Sequence, residues 1–222
     1  KLYFEYDDVI QQVEQAHRQF ENDFDDVSNY LTARWADEIR DRFDVAGSGW
    51  KIRSNDSPKW QGLMPEYWDQ DPFGGGSTIA LYFRIPITAE HLRNQELSFR
   101  LRLPPQRKVH KQTFEEDRSF NSLFTEKCRG EDGEEIRAEL KKLDVDEIKL
   151  GRASALFTKS YDLDPENLVS SYFTQVTTAV NEFCSENSQL LTLMNSVFEA
   201  SYKDVFDESP TGEFSGPLSK RE

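Results

Sequence analysis

Apolar residues recur mostly every four positions through the first part of the chain. The series runs from Val13 to Phe43, with acids and glutamines between its members. This spacing places the apolar side chains along one face of an amphipathic helix. The turn at Gly47 to Gly49 ends the pattern. Residues 7–44 are therefore predicted to be helical, as one long helix or as a helix pair, with a break expected near residues 25–29.

The middle of the chain changes to strand patterns. Residues 50–103 contain several short runs rich in β-branched and aromatic residues, the strongest of which is 77–87. Residues 96–103 alternate strictly, with apolar side chains on one face and Arg100 and Arg102 on the other. Runs of this kind separated by turn residues predict an antiparallel meander.

The second half alternates between helix and strand again. The predicted segments are helical residues 112–143, a strand over residues 153–161, and a pair of antiparallel helices over residues 165–206. Asp164 followed by Pro165 is typical of a helix start, because the carboxylate caps free N–H groups and proline fits the first turn. Residues 209–222 are rich in serine, glycine and proline and are expected to form a loosely attached tail.

Together these elements predict an α+β fold. Its centre is an antiparallel sheet of about four or five strands, drawn from residues 50–103 and 153–161. The N-terminal helix or helix pair and the C-terminal antiparallel helix pair are expected to pack on that sheet. A chain of 222 residues suits one hydrophobic core, so residues 1–208 are predicted to form a single domain, with residues 209–222 outside it.

Charge and apolar runs narrow the possible partners. The chain has 41 Asp and Glu against 27 Lys and Arg, a formal net charge of −14. Binding to a nucleic-acid backbone depends on basic side chains, so this balance argues against general nucleic-acid binding. The longest apolar run is residues 79–83, far short of the roughly 20 residues that cross a bilayer. No membrane partner is predicted.

Other features of the composition bear on stability and location. The 16 Phe, 8 Tyr and 4 Trp supply the large apolar groups that a core requires, so a folded protein is expected in spite of the high net charge. An excess of acids is also typical of proteins that work in concentrated salt, which makes halophilic adaptation a hypothesis. Cys128 and Cys184 lack the spacing of a disulfide framework or a zinc site, and they favour a reducing, cytoplasmic location.

Sequence motifs do not indicate catalysis. The glycines of residues 74–76 lead into a strand rather than a helix and lack the lysine of a phosphate loop, so they are interpreted as a turn. Glu147 and Lys149 fit the core of a PD-(D/E)xK nuclease site, but residues 139–141 repeat the same triplet, as chance predicts in so acidic a chain. No catalytic residue, metal or cofactor is predicted. The alternative is a metal-dependent hydrolase or nuclease-type enzyme, or its accessory domain, whose acids converge only in the fold.

The most unusual composition lies in residues 50–73, which contain all but one of the four tryptophans. Tryptophan and tyrosine provide rigid contact area with a polar edge and are favoured at protein interfaces. The alternative is that these side chains cover one end of the sheet. Nearby, Arg100 and Arg102 begin the main basic cluster, which extends to Lys111. Such a cluster can bind an acidic partner segment, a phosphate group or the protein's own acidic helices.

The leading hypothesis is therefore a non-catalytic recognition or accessory module that binds a protein partner. Its oligomeric state does not follow from the sequence. The candidate binding residues are Trp50, Arg53, Trp60, Tyr67, Trp68, Arg100 and Arg102.

Overall fold

The computed structural model describes residues 2–56, 59–72, 79–103, 119–148, 155–186 and 188–221. The helices are α1 (Leu2–Arg42), α2 (Ala89–Arg93), α3 (Phe120–Arg129), α4 (Glu134–Lys142), α5 (Leu168–Cys184) and α6 (Leu190–Phe206). The strands are β1 (Trp50–Asp56), β2 (Lys59–Pro65), β3 (Asp69–Gln70), β4 (Ile79–Ala80), β5 (Tyr82–Pro86), β6 (Glu96–Arg102), β7 (Glu147–Ile148) and β8 (Ala155–Asp162). Short 3-10 turns cover Glu66–Trp68, Glu131–Gly133 and Pro165–Asn167.

The main sheet is antiparallel and has the strand order β1-β2-β5-β6-β8-β7, while β3 and β4 form a separate short ladder. This arrangement, with an N-terminal helix and C-terminal helices, confirms the predicted α+β class. The edge strand β7 was not predicted, because two residues are too few to show an alternating pattern. Predictions for residues 74–76, 112–118 and 153–154 lie outside the described residues.

The register of the strands separates two faces. Side chains alternate across a sheet, so residues paired in one row lie on the same face. One row joins Arg53, Gly62, Arg84 and Arg100 across four strands. The adjacent row, on the opposite face, consists of Ile52, Leu63, Phe83, Leu101, Phe157 and Ile148.

The helices cover the apolar face, where aromatic rings form the centre of the core. Phe99 of β6 stacks on Phe83 of β5 at 5.3 Å and on Phe183 of α5 at 5.2 Å between ring centroids. Trp68 contacts Phe83 at 6.1 Å and Phe198 of α6 at 6.3 Å. Stacked and tilted ring pairs of this kind add to the stabilisation from burial.

Helix α1 is continuous from Leu2 to Arg42, so the break predicted near residues 25–29 is wrong. Within this stretch, Ser28 is buried and donates its Oγ–H to the carbonyl of Ile87 at 2.9 Å. From Ser28 onward the helix packs on the domain: Leu31, Trp35 and Ile39 are buried, as is Phe43 just after the helix. The described side chains of residues 11–26 are exposed, except for the half-buried Phe24.

The C-terminal segment corrects a second expectation. Residues 209–222 were expected to be a loosely attached tail, but their described part packs against the core as a strap, defined here as residues 207–221. The amide of Leu218 donates to the carbonyl of Cys184 at 2.7 Å, and the Leu218 side chain is buried. The ring of Phe214 stacks on Trp68 at 6.2 Å.

Two glycines allow the strap to adopt backbone conformations that other residues disfavour. Gly212 and Gly216 have φ values of 88° and 92°, a region that favours glycine. At its end the strap meets α1, where the amide of Arg221 donates to the carbonyl of Arg42 at 3.0 Å. A composition rich in glycine, serine and proline thus marks an irregular but attached segment, because its contacts are made to residues distant in the sequence.

In the described part of the chain, no helix is long and apolar enough to cross a membrane.

Candidate functional site

The predicted binding residues divide into two groups. Trp50, Tyr67 and Trp68 belong to the core, with exposed fractions of 1%, 9% and 0%. Residues 50–73 thus place three of their aromatic side chains on the side of the sheet that the helices cover. These three residues are corrected from candidate binding residues to structural ones, in agreement with the alternative that they cover part of the sheet.

The polar edges of these rings have partners inside the protein. The indole N–H of Trp50 donates to the carbonyl of Gly216 at 3.0 Å, and that of Trp68 donates to Asn195 Oδ1 at 3.0 Å. Buried tryptophan and tyrosine normally satisfy their polar atoms in this way. The sequence could not reveal it, since the partners lie in α6 and in the strap.

Tyr67 follows the same rule. Its hydroxyl donates to Glu199 Oε1 at 3.0 Å, and burial together with this carboxylate raises the pKa of Tyr67 to about 12. The hydroxyl therefore stays protonated and acts as a donor within the domain.

The remaining candidates lie together on the opposite face of the sheet. Arg53, Trp60, Arg100 and Arg102 come from three strands, and the register adds two residues that the sequence analysis missed, Tyr82 and Arg84. We term these residues the arginine–aromatic face: Arg53, Trp60, Tyr82, Arg84, Arg100 and Arg102. The missed pair could have been found, since Tyr82 and Arg84 alternate with Phe83 and Ile85 within β5.

An aromatic pair with two guanidinium groups forms the centre of this face. The rings of Trp60 and Tyr82 stack at 5.2 Å with an interplanar angle of 27°. The guanidinium carbon of Arg84 lies 5.2 Å from the Trp60 centroid, and that of Arg53 lies 5.6 Å from the Tyr82 centroid. Each ring therefore has a cation within the range of a cation–π interaction.

Gly62 makes room for the aromatic pair. It lies between Arg53 and Arg84 in the row across the sheet. A Cβ atom at this position would lie 2.6 Å from the carbonyl oxygen of Phe83, 3.3 Å from the Trp60 ring and 3.4 Å from the Tyr82 ring. Glycine weakens a strand unless something fills the space, and here the rings fill it.

The arginines of β5 and β6 form a cluster of like charge. Arg84 is paired with Arg100, and Arg102 is paired with Tyr82 two rows away, on the same face. Burial lowers the pKa of Arg84, and the neighbouring charges of Arg102 and Arg100 lower it further. The positive charge of Arg84 is therefore disfavoured both by burial and by repulsion from its neighbours.

Two of the guanidinium groups contain an orphaned donor. The Nε atoms of Arg84 and Arg102 are buried, and among the residues that the structure describes neither has a hydrogen-bond acceptor. The Nε of Arg100, by contrast, donates to Ser98 Oγ at 2.8 Å. Within the described ranges, no carboxylate forms an ion pair with Arg53, Arg84 or Arg102. A buried donor without an acceptor is unfavourable, and a ligand that supplies the acceptor removes that cost.

His91 of α2 lies at the border of this face. Its Nδ1 is 2.7 Å from Thr88 Oγ1, the side chain that caps α2. Burial lowers the pKa of His91, as do the charges of Arg100 and Arg84, whereas Glu96 and Glu90 oppose the shift. His91 is therefore biased towards its neutral form.

The enzyme alternative has fewer observations to build on. Across the residues that the structure describes, no group of three or more His, Cys, Asp or Glu side chains is placed to hold a metal ion. Glu147 lies in β7 opposite Thr158, and Lys149 lies outside the described residues. Burial raises the pKa of the Cys128 thiol to about 12, so this cysteine remains a thiol.

No protein-family model, curated protein or solved structure matches this chain.

Proposed function

We propose that this protein is a non-catalytic recognition module that binds an acidic segment of a protein partner through the arginine–aromatic face. The observation that carries the proposal is the pair of buried, unsatisfied Nε–H groups of Arg84 and Arg102 beside the stacked rings of Trp60 and Tyr82. Four of the residues are ones that the sequence analysis selected.

A carboxylate fits these donors. The Nε–H of an arginine and one of its terminal N–H groups point in the same direction and bind the two oxygens of a carboxylate together. A glutamate or aspartate of a partner binds a terminal N–H group of Arg84 or Arg102 first, and a rotation of the guanidinium group then brings the buried Nε–H to the same carboxylate. It also reduces the repulsion that lowers the pKa of Arg84.

The neighbouring rings supply contact area. Tryptophan, tyrosine and arginine are the residues most often found at the energetic centre of protein interfaces. The half-buried Trp60 is held by its stack with Tyr82, so little side-chain entropy remains to be lost on binding.

The net charge favours a peptide over a nucleic acid. A nucleic-acid backbone carries closely spaced negative charges, and it would extend from this face onto a protein of net charge −14. An acidic peptide segment can place its carboxylates on the arginines and continue with neutral or basic residues.

The test uses the signals of the arginine Nε–H groups in nuclear magnetic resonance. Titration of the full chain with a short oligo-glutamate peptide should shift the signals of Arg84 and Arg102 first. The substitutions Arg84→Gln and Arg102→Gln should each weaken binding by about tenfold, the loss expected for a charge-assisted hydrogen bond. The matched control is Arg40→Gln, which removes the same charge from an exposed position of α1.

Three results would contradict the proposal. The peptide could leave both Nε–H signals unchanged. Arg40→Gln could weaken binding as much as Arg84→Gln, which would mean that only net charge matters. Inorganic phosphate or a single-stranded DNA oligomer could bind this face more tightly than the peptide, which would assign it to phosphate recognition.

Two further proposals concern the salt concentration and the compartment in which the protein works. The charge of −14 supports adaptation to concentrated salt, so the free energy of unfolding should rise from low to molar KCl beyond the effect on a neutral control protein. The free, buried thiols of Cys128 and Cys184 support a reducing, cytoplasmic location. Unfolding that is insensitive to KCl would overturn the first of these.

A further inference from the structure

The N-terminal half of α1 extends beyond the core. The helix has 41 residues, which corresponds to a length of about 60 Å. Its contacts with the domain become extensive from Ser28 onward. Before Ser28, the described side chains of residues 11–26 are exposed except for Phe24. A helix without tertiary contacts is only marginally stable in water, so this half lacks the packing that stabilises the other.

An apolar stripe runs along this half. It consists of Val13, Phe20, Phe24 and Val27, which are seven, four and three residues apart. These are the intervals of the a and d positions of a coiled-coil heptad. Val13 is 63% exposed and Phe20 is 51% exposed. We term these four residues the α1 stripe.

The α1 stripe continues a packed surface. Leu31 extends the same spacing and is fully buried in the core. Phe24 and Val27 lie at the border, partly buried against the core, and Phe24 meets the ring of Phe20 edge-on at 4.8 Å. One apolar face of α1 therefore passes from the interior of the domain into solvent, where a further helix could pack in the same way.

The charges beside the α1 stripe indicate which kind of helix would pack on it. Residues 14–26 contain five acids against the single base Arg18. In the heptad register, Glu14 takes an e position and Asp23 takes a g position, the positions that face a partner helix. In a second copy the same positions would also be acidic. Like charges at these positions disfavour pairing, whereas lysine or arginine at them favours it.

We propose that the α1 stripe is a docking site for an amphipathic helix of another protein, with a heptad apolar seam flanked by lysine or arginine. This surface consists of other residues than the arginine–aromatic face and has the opposite charge. The two proposals are independent, because each rests on its own residues and each is tested with a probe of its own charge.

The test uses calorimetric titration of the full chain at low ionic strength with two synthetic heptad peptides. Both have leucine at a and d, and they differ only in lysine or glutamate at e and g. The lysine peptide should bind, and the glutamate peptide should not. Phe20→Ser should weaken binding of the lysine peptide at least about tenfold, since it removes a central apolar contact. Gln15→Ser is the control, because Gln15 is also exposed on α1 but takes the f position, away from the seam, and it should change the affinity less than about twofold.

The outcomes are distinct. Phe20 lies outside the core, so an unchanged unfolding midpoint for Phe20→Ser confirms that any loss of binding is local. Equal binding of both peptides, or equal effects of Phe20→Ser and Gln15→Ser, would overturn the proposal. Sedimentation of the chain alone gives a further check: a dimer that Phe20→Ser converts to a monomer would assign the stripe to a second copy instead.

Discussion

The two faces of the sheet use similar aromatic stacking for different ends. On the helix-covered face, the rings of Phe83 and Phe99 lie 5.3 Å apart, within a core of further rings. On the other face, the rings of Trp60 and Tyr82 lie 5.2 Å apart, and each has an arginine beside it. Each pair joins two adjacent antiparallel strands. The difference between the two pairs therefore lies in the residues that surround them.

The surroundings of the two pairs suit different roles, stability on the helix-covered face and recognition on the other. Hydrocarbon neighbours complete the packing of the phenylalanines. Guanidinium neighbours give the other pair a charged border, in which two Nε–H groups still lack acceptors. Natural proteins keep such local costs mainly where a function needs them.

The largest expected effect concerns the covered face. Phe99→Ala should lower the free energy of unfolding by about 3–5 kcal/mol, because it removes a buried ring and leaves a cavity. Trp60→Ala, on the other face, should lower it by less than about 2 kcal/mol, since Trp60 is partly exposed. Urea unfolding of both variants measures the difference. Equal losses would mean that the second face is also core.

The next effect concerns the glycine beneath the aromatic pair. Gly62→Ala should lower the free energy of unfolding by about 1–3 kcal/mol, because its Cβ would lie 2.6 Å from the carbonyl oxygen of Phe83 and must shift the strand or the rings. Thermal unfolding measures the loss, and tryptophan fluorescence reports the shift. The control is Gly130→Ala, whose Cβ would meet no atom closer than 3.5 Å. Similar losses in both variants would contradict the steric argument.

A smaller effect of opposite sign is expected for the arginine cluster. Arg102→Gln should raise the free energy of unfolding by about 0.5–1 kcal/mol, because it removes a charge that repels Arg84 and a donor without an acceptor. The same substitution should weaken peptide binding. Chemical unfolding at low salt measures the gain, and Arg40→Gln provides the control for net charge. A clear loss of stability would show that Arg102 serves the fold.

The smallest effect is a pH dependence through His91. Its pKa in the folded protein lies below the ordinary 6.5, so the unfolded chain binds more protons as the pH falls through 6.5. Stability should therefore rise with pH across this range, by less than about 1 kcal/mol after solvent screening. His91→Gln should remove this part of the slope, and Arg100→Gln should reduce it. An unchanged slope in both variants would exclude His91 as its source.

Local patterns anticipated most elements of the fold. The alternation over residues 96–103 indicated which side chains share a face with Arg100, and the register confirms that arrangement. The cap predicted at Asp164 is also confirmed, since its Oδ1 accepts the amide of Glu166 at 2.9 Å, although the turn that it begins is a 3-10 turn and α5 starts at Leu168. Both features depend on neighbours within a few residues, and the sequence displays such neighbours directly.

The errors share one cause. At residues 25–29, where a break was expected, α1 continues, and its Ser28 donates to the carbonyl of Ile87, 59 positions away. The expected loose tail is a strap because Leu218 is buried and bonded to Cys184. Polar, glycine-rich or proline-rich composition signals an irregular backbone, but attachment depends on partners that composition does not name.

The chain's own pattern of residues was enough to predict the α+β class, the two-sided strands and four members of the arginine–aromatic face. Only the tertiary structure decided which face the helices cover, and with it the fates of Trp50 and Trp60, which lie ten positions apart in neighbouring strands of one hairpin. A period of two assigns side chains to opposite faces of a strand. It does not say which face is buried, because burial depends on packing against helices and a strap contributed by distant parts of the chain.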